Sequence, residues 1–154
     1  MITKLFQLFL AGILGYAQKV LGAQAEFGAQ TMVPGFTTTS AYNTLTATKY
    51  IFVQANGART AMQAINPTST ALLGVMQNNP KVGEAMSIAC AGLSKVVAGG
   101  ALSANALITS NSSGRAAAVT SGDMVAGRVL EAAGADGDVV TALLFHPVRW
   151  SGAA

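Results

Sequence analysis

Residues Gly127–Pro147 read GRVLEAAGADGDVVTALLFHP. Two aliphatic runs flank a stretch of small residues and aspartates, and hardly any of these side chains is suited to chemistry. β-Branched residues pack well on a pleated surface, so both runs read as strands. Asp136-Gly137 supplies the turn, because aspartate bonds its own backbone and glycine reaches positive φ without a clash. In the second run Val139, Thr141, Leu143 and Phe145 share one face, and Val140, Ala142, Leu144 and His146 share the other. Both faces are largely apolar, which predicts a strand covered twice, by the core and by a further layer or subunit. Ala126 and Gly127 on the partner run permit the close backbone approach that a tight barrel requires.

The same grammar extends back to Lys49. Tyr50 to Gln54 is β-branched and aromatic, Asn56-Gly57 is a strong hairpin signal, and Thr60 to Ile65 returns. Ala71 to Gln77 stops at Asn79-Pro80. Glu84 to Cys90 alternates, with Met86, Ile88 and Cys90 opposite to Ala85, Ser87 and Ala89. Leu93 to Ala98, Ala106 to Ser110, Arg115 to Val119, Val125 to Ala132 and Asp138 to Phe145 follow, each closed by a turn signal. Short strands at this spacing, with no long 3.6-residue period between them, predict an all-β fold: a small β-barrel or β-sandwich body over residues 49–154.

Residues 1–48 read differently, as an N-terminal helical and extended arm. Ile2, Leu5, Phe6, Phe9, Ile13, Tyr16, Ala17 and Val20 recur at spacings of three and four, the signature of a helix with one apolar face. Such a helix is marginal alone in water and predicts docking on a partner. The run is too short for a membrane span, which takes about 20 apolar residues. A second reading stays open: Lys4, the uncharged run from Leu5 to Ala17, and Ala23-Gln24-Ala25 resemble an export signal with a small-x-small cleavage site, which would make the body a secreted or envelope-associated domain. From Glu26 to Thr48 no period is sustained. Phe27, Met32, Val33, Phe36 and Tyr42 are spaced apolar anchors on an extended segment, with an ordinary packed loop as the alternative.

Composition narrows the function. Only 10% of the 154 residues are charged, against a usual share of about 25%. A surface so lightly charged solvates itself poorly, which suits a protein covered by neighbours in an assembly. The nine basic residues are scattered singly, so no patch of the kind that grips phosphate backbones is expected and nucleic acid is disfavoured as a partner. Cys90 is the single cysteine, which rules out an intrachain disulfide.

No phosphate-binding glycine loop, dinucleotide fingerprint or nucleophile elbow occurs. His146, the single histidine, lies late in a strand beside Pro147 with no motif to supply a nucleophile or an orienting group. Asp136 and Asp138 have the chemistry for weak calcium binding, but a turn uses the same residues and a calcium loop needs more oxygen donors. Glu84 and Asp123 read as solvated, and Trp150 as a packing or interface aromatic. The expectation is a protein without catalytic residues, cofactor or metal.

Several of these stretches together carry a resemblance. Val97-Ala98-Gly99-Gly100-Ala101-Leu102, Gly114-Arg115-Ala116, Gly122-Asp123, Gly127 to Ala133 and Asp136-Gly137-Asp138-Val139-Val140 resemble the head decoration, or capsid cement, proteins of tailed bacteriophages. The resemblance implies a small β-barrel on the outer capsid surface, with the major capsid protein as partner, trimers at capsomer junctions, and an N-terminal segment reaching over the shell. On that basis Leu5, Phe6, Phe9, Ile13, Phe27, Met32, Phe36 and Tyr42 are the expected contacts of the arm with the capsid. Residues 49–154 are expected to fold without the arm, and to lose shell binding with it.

Overall fold

One strand does twice the usual work of a strand. In a computed structural model of the chain, which describes residues 30–38, 49–57, 59–63 and 66–152, the segment Ala85–Gly99 forms a single fifteen-residue strand, β5. Around it run β1 (Gln30–Thr38), β2 (Phe52–Ala55), β3 (Thr60–Gln63), β4 (Leu72–Met76), β6 (Leu107–Ser110), β7 (Ala116–Ala118), β8 (Met124–Val129) and β9 (Asp136–Arg149). Hydrogen-bonded neighbours in the order β1-β3-β2-β4-β5 return to β1, closing a five-stranded barrel. The order β5-β7-β6-β8-β9 returns to β5 and closes a second ring on the other half of the same strand. The described residues are all-β.

Closure of two rings on one strand demands two things of β5. Its edges must be shared out along its length: residues 85–92 pair with β1, Ala89 and Ile88 also pair with β4, residues 92–99 pair with β9, and Ala98 pairs with β7. Its two faces must both be apolar where the rings meet. Val96 and Val97 point to opposite faces, yet both are buried, Val96 in the larger core with Val129, Val140 and Leu144, and Val97 in the smaller one with Ile51, Met76 and Ile88. Burying each side chain is worth about 1.5–3 kcal/mol. Within the described chain the strand that feeds two cores is β5, not β9.

Other differences from the sequence reading have local causes. Glu84 to Cys90 and Leu93 to Ala98 were expected as separate strands; Gly92, at φ 90°, lets the chain bend without leaving the sheet, so they form one. Asp136-Gly137 does not form the hairpin turn. Residues 130–135 make the connection, held by a Leu102–Ala133 bridge, and β9 starts at Asp136. Strand β9 also runs past Pro147, which falls in a bulge between the Gly127–Leu144 and Val125–Val148 pairs and so owes no ladder hydrogen bond. The Asn56-Gly57 hairpin is present, with Ala55 opposite Ala61 and Gly57 at φ 96°.

The boundary between arm and body moves as well. Strand β1 lies within the segment read as arm, but it pairs antiparallel with β5 and parallel with β3, and the first ring is open without it. Phe36, opposite Met86, packs partly buried against the chain's own smaller core; it was expected to contact the capsid. Its physical reason is the register, which turns that side chain inward.

Two glycines set how closely strands approach. A Cβ at Gly127 would sit 2.8 Å from the Leu143 carbonyl oxygen, and one at Gly74 would strike the Ala89 carbonyl, with Gly74 at φ 154° besides. Gly127→Ala is expected to lower the unfolding free energy by about 1–3 kcal/mol in urea denaturation; an unchanged midpoint would contradict the packing described. Removing residues 1–29 should leave one cooperative transition, whereas removing residues 1–38 takes away β1 and should lower the thermal midpoint sharply.

Candidate functional site

The outer face of the β5–β9–β8 sheet is the most distinctive surface of the described chain. Register builds it. Leu93 stands opposite Leu143, Lys95 opposite Thr141, and Val97 opposite Val139, while Arg128 flanks Leu143 from β8. The inward partners on β9, Val140, Ala142 and Leu144, are buried, which leaves their neighbours outward by strand alternation. Leu93, Val139 and Leu143 are 46%, 51% and 43% exposed, and Leu130 continues the stripe. At Val97 the smaller core covers this face, but Leu93, Val139, Leu143 and Leu130 stay exposed, so the described chain does not supply a further layer over them.

Beside the stripe the surface is concave. A cleft of ≈ 580 Å³ is lined by Lys49, Tyr50, Asn79, Val97, Arg115, Gly137 and Val139. A shallower hollow lies between Tyr50, Gln77, Leu93, Lys95 and Thr141. Tyr50 separates the two and packs against both cores. Its backbone is at φ 73°, a region that costs a bulky residue about 1–3 kcal/mol. Two main-chain bonds hold it there: its N–H donates to the Met76 carbonyl at 2.8 Å, and its carbonyl accepts from Val97 N–H at 2.9 Å.

Charges at the rim are largely matched. The Arg115 guanidinium lies 2.6 Å from Asp136, an exposed ion pair worth at most about 1 kcal/mol. Glu131 accepts the Thr141 amide at 2.5 Å. Hydrogen bonding from the Thr141 side chain, then from its amide, with a smaller pull from Lys95, holds the Glu131 carboxyl below the usual glutamate range.

The remaining candidates are structural. Asp138 accepts the amides of Gly134 and Ala135 at 2.8 and 2.9 Å, so its carboxylate closes the β8–β9 connection. Asp123, read as solvated, is buried: it accepts the Thr120 amide and hydroxyl at 2.8 and 2.7 Å and braces the turn into β8. Glu84 is exposed and accepts the Lys81 amide. His146 is exposed, with Nδ1 3.1 Å from the Pro147 carbonyl. Trp150 is pinned by its backbone to Gly122 and Asp123 and leaves its ring partly exposed. Among the described residues no three His, Cys, Asp or Glu side chains gather as a metal site, and no helix is long and apolar enough to cross a membrane.

Of the expected arm contacts, Met32 is exposed on β1 and Phe36 packs inward; Leu5, Phe6, Phe9, Ile13, Phe27 and Tyr42 lie outside the described residues. Sequence reasoning missed Tyr50 and Lys95 as surface elements. No sequence signal announces a positive φ at a tyrosine, and Lys95 stands alone among apolar residues. No protein-family model matches the chain, and no curated protein matches it.

The Glu131 contact is testable. Its lowered pKa means that the stabilisation it brings is present above the unfolded-state pKa and is lost as pH falls through the folded one. Thr141→Val should raise the Glu131 midpoint toward the ordinary glutamate value in an NMR titration; an unmoved midpoint would remove the assigned cause. His146→Ala should change stability by no more than about 0.5 kcal/mol, as for exposed positions generally.

Proposed function

We propose that the chain is a structural, non-enzymatic capsid decoration protein. It binds the outer surface of a phage head and stabilises contacts between neighbouring major capsid protein subunits, with three copies clustering where capsomers meet. The observation that carries this reading is the pairing of a doubly closed β body with a broad apolar outer stripe, on a chain whose described polar side chains are engaged in turns and rim contacts rather than aimed at a common point. The resemblance of Val97–Leu102, Gly127–Ala133 and Asp136–Val140 to cement proteins supports the same conclusion.

Mechanically the parts suit the task. A ring-closed sheet resists shear because β5 is paired into both rings. The residues before Gln30 carry the apolar anchors, and Leu5, Phe6, Phe9, Ile13 and Phe27 reach over the shell while the body sits above the seam. Specific interfaces bury about 1,600 Å² in total, and repetition over a symmetric shell adds avidity when each copy touches several neighbours.

The test is co-sedimentation with icosahedral heads from the natural source, viewed by negative stain. The full chain should travel with the heads. A chain lacking residues 1–29, chosen so that β1 and the first ring survive, should bind at least about tenfold more weakly, the scale of losing one buried aromatic anchor. Equal binding by the two would refute the arm's role, and no binding by either would refute the function. Intact mass of the native protein addresses the export reading: a full-length mass supports a retained arm, and loss of residues 1–25 supports secretion.

A further inference from the structure

The cleft beside Tyr50 is assembled from both rings. Lys49 and Tyr50 lead into β2 of the first ring, and Arg115 leads into β7 of the second. Gly137 and Val139 come from β9, and Val97 from the strand that the rings share. Main-chain bonds stitch these segments together. Val97 N–H donates to the Tyr50 carbonyl at 2.9 Å, and Phe52 N–H donates to the Gly114 carbonyl, one residue before Arg115, at 2.6 Å. The walls are therefore fixed by the fold. A volume of ≈ 580 Å³ falls within the usual range of small-molecule sites, about 300–1,000 Å³. A Cβ at Gly137 would meet nothing within 4 Å, so the start of β9 leaves room on that side.

The geometry points to a binding site for a small monocarboxylic acid with an apolar body. Val97 and Val139 give the body an apolar wall, and Lys49 and Arg115 give the carboxylate its cations. Among the described residues Lys49 has no carboxylate within ion-pair reach, and Arg115 has one, Asp136, bound through Nη1 at 2.6 Å. A guanidinium carries five N–H donors in a planar fork, so Arg115 can take a second carboxylate beside the first. Both partners of the existing pair are exposed, and such a pair is easily exchanged.

Charge selects the class of ligand. Two cations against one carboxylate leave the cleft with a single positive charge. A monoanion matches it. A phosphate monoester, at about −1.5 to −2 near neutral pH, would set excess negative charge against Asp136. An amine would face Lys49 and Arg115. The concave shape suits a small molecule, since protein partners meet over broad surfaces of about 800 Å² a side.

This site stands independently of the proposed function, because it concerns the body away from any shell. The experiment titrates the full chain with naphthoate, with naphthalenemethanol as the neutral analogue and naphthyl phosphate as the more highly charged one, and follows amide NMR shifts. Naphthoate should move Tyr50, Gly137 and Val139 saturably, with a Kd of about 1 mM or below for so small a probe. The alcohol should bind at least about tenfold more weakly, and the phosphate no more tightly than the carboxylate. Arg115→Gln should weaken naphthoate about tenfold or more, with the thermal midpoint checked for folding. Asp136→Asn should tighten it about twofold or more by releasing Arg115, an effect of opposite sign that misfolding would not produce. Equal binding of acid and alcohol, or shifts centred on Leu93 and Leu143, would mean apolar adhesion and overturn the inference. So would tighter binding of the phosphate, or no saturable shift up to about 10 mM. None of these results bears on co-sedimentation with heads.

Discussion

The whole structure depends on β5 serving two rings and two cores at once. An ordinary strand in a barrel uses both edges and one apolar face. Here the edges are divided lengthwise between two rings, and Val96 and Val97 face two different cores. Shifting the register of β5 by one residue would exchange these neighbours and also move Met86 and Ile88 out of the smaller core. The register of the two rings is consequently set together, and each ring restrains the other.

That restraint explains the composition. Five-stranded rings have narrow interiors, and small residues such as Ala89, Ala98, Ala116, Ala126 and Ala142 are buried in the core. Gly74 and Gly127 go further and let main chain approach main chain. These buried alanines and close-approach glycines suit the doubly closed topology. They also leave few large apolar residues, so the bulky ones on the outer face of β9 stand out as a surface that the core did not need.

Much of this was legible in the sequence, and the failures share one origin. The all-β class, the Asn56-Gly57 hairpin and the inward alternation of Met86 and Ile88 are local properties, set by turn chemistry and side-chain period. What could not be read was which strand two layers would share. Val139 to Leu144 and Val96-Val97 are both apolar on consecutive residues, and only long-range pairing decides that the second is covered twice within the chain while the first is not. The same holds for β1: its proline and glycine argue against a strand, and it becomes one by pairing with β5, with a register shift between Val33 and Phe36 that takes up those residues. Asp123 was misjudged because a buried carboxylate looks identical in sequence to a solvated one until Thr120 closes on it. The outer stripe was visible as a pattern, but its openness was not.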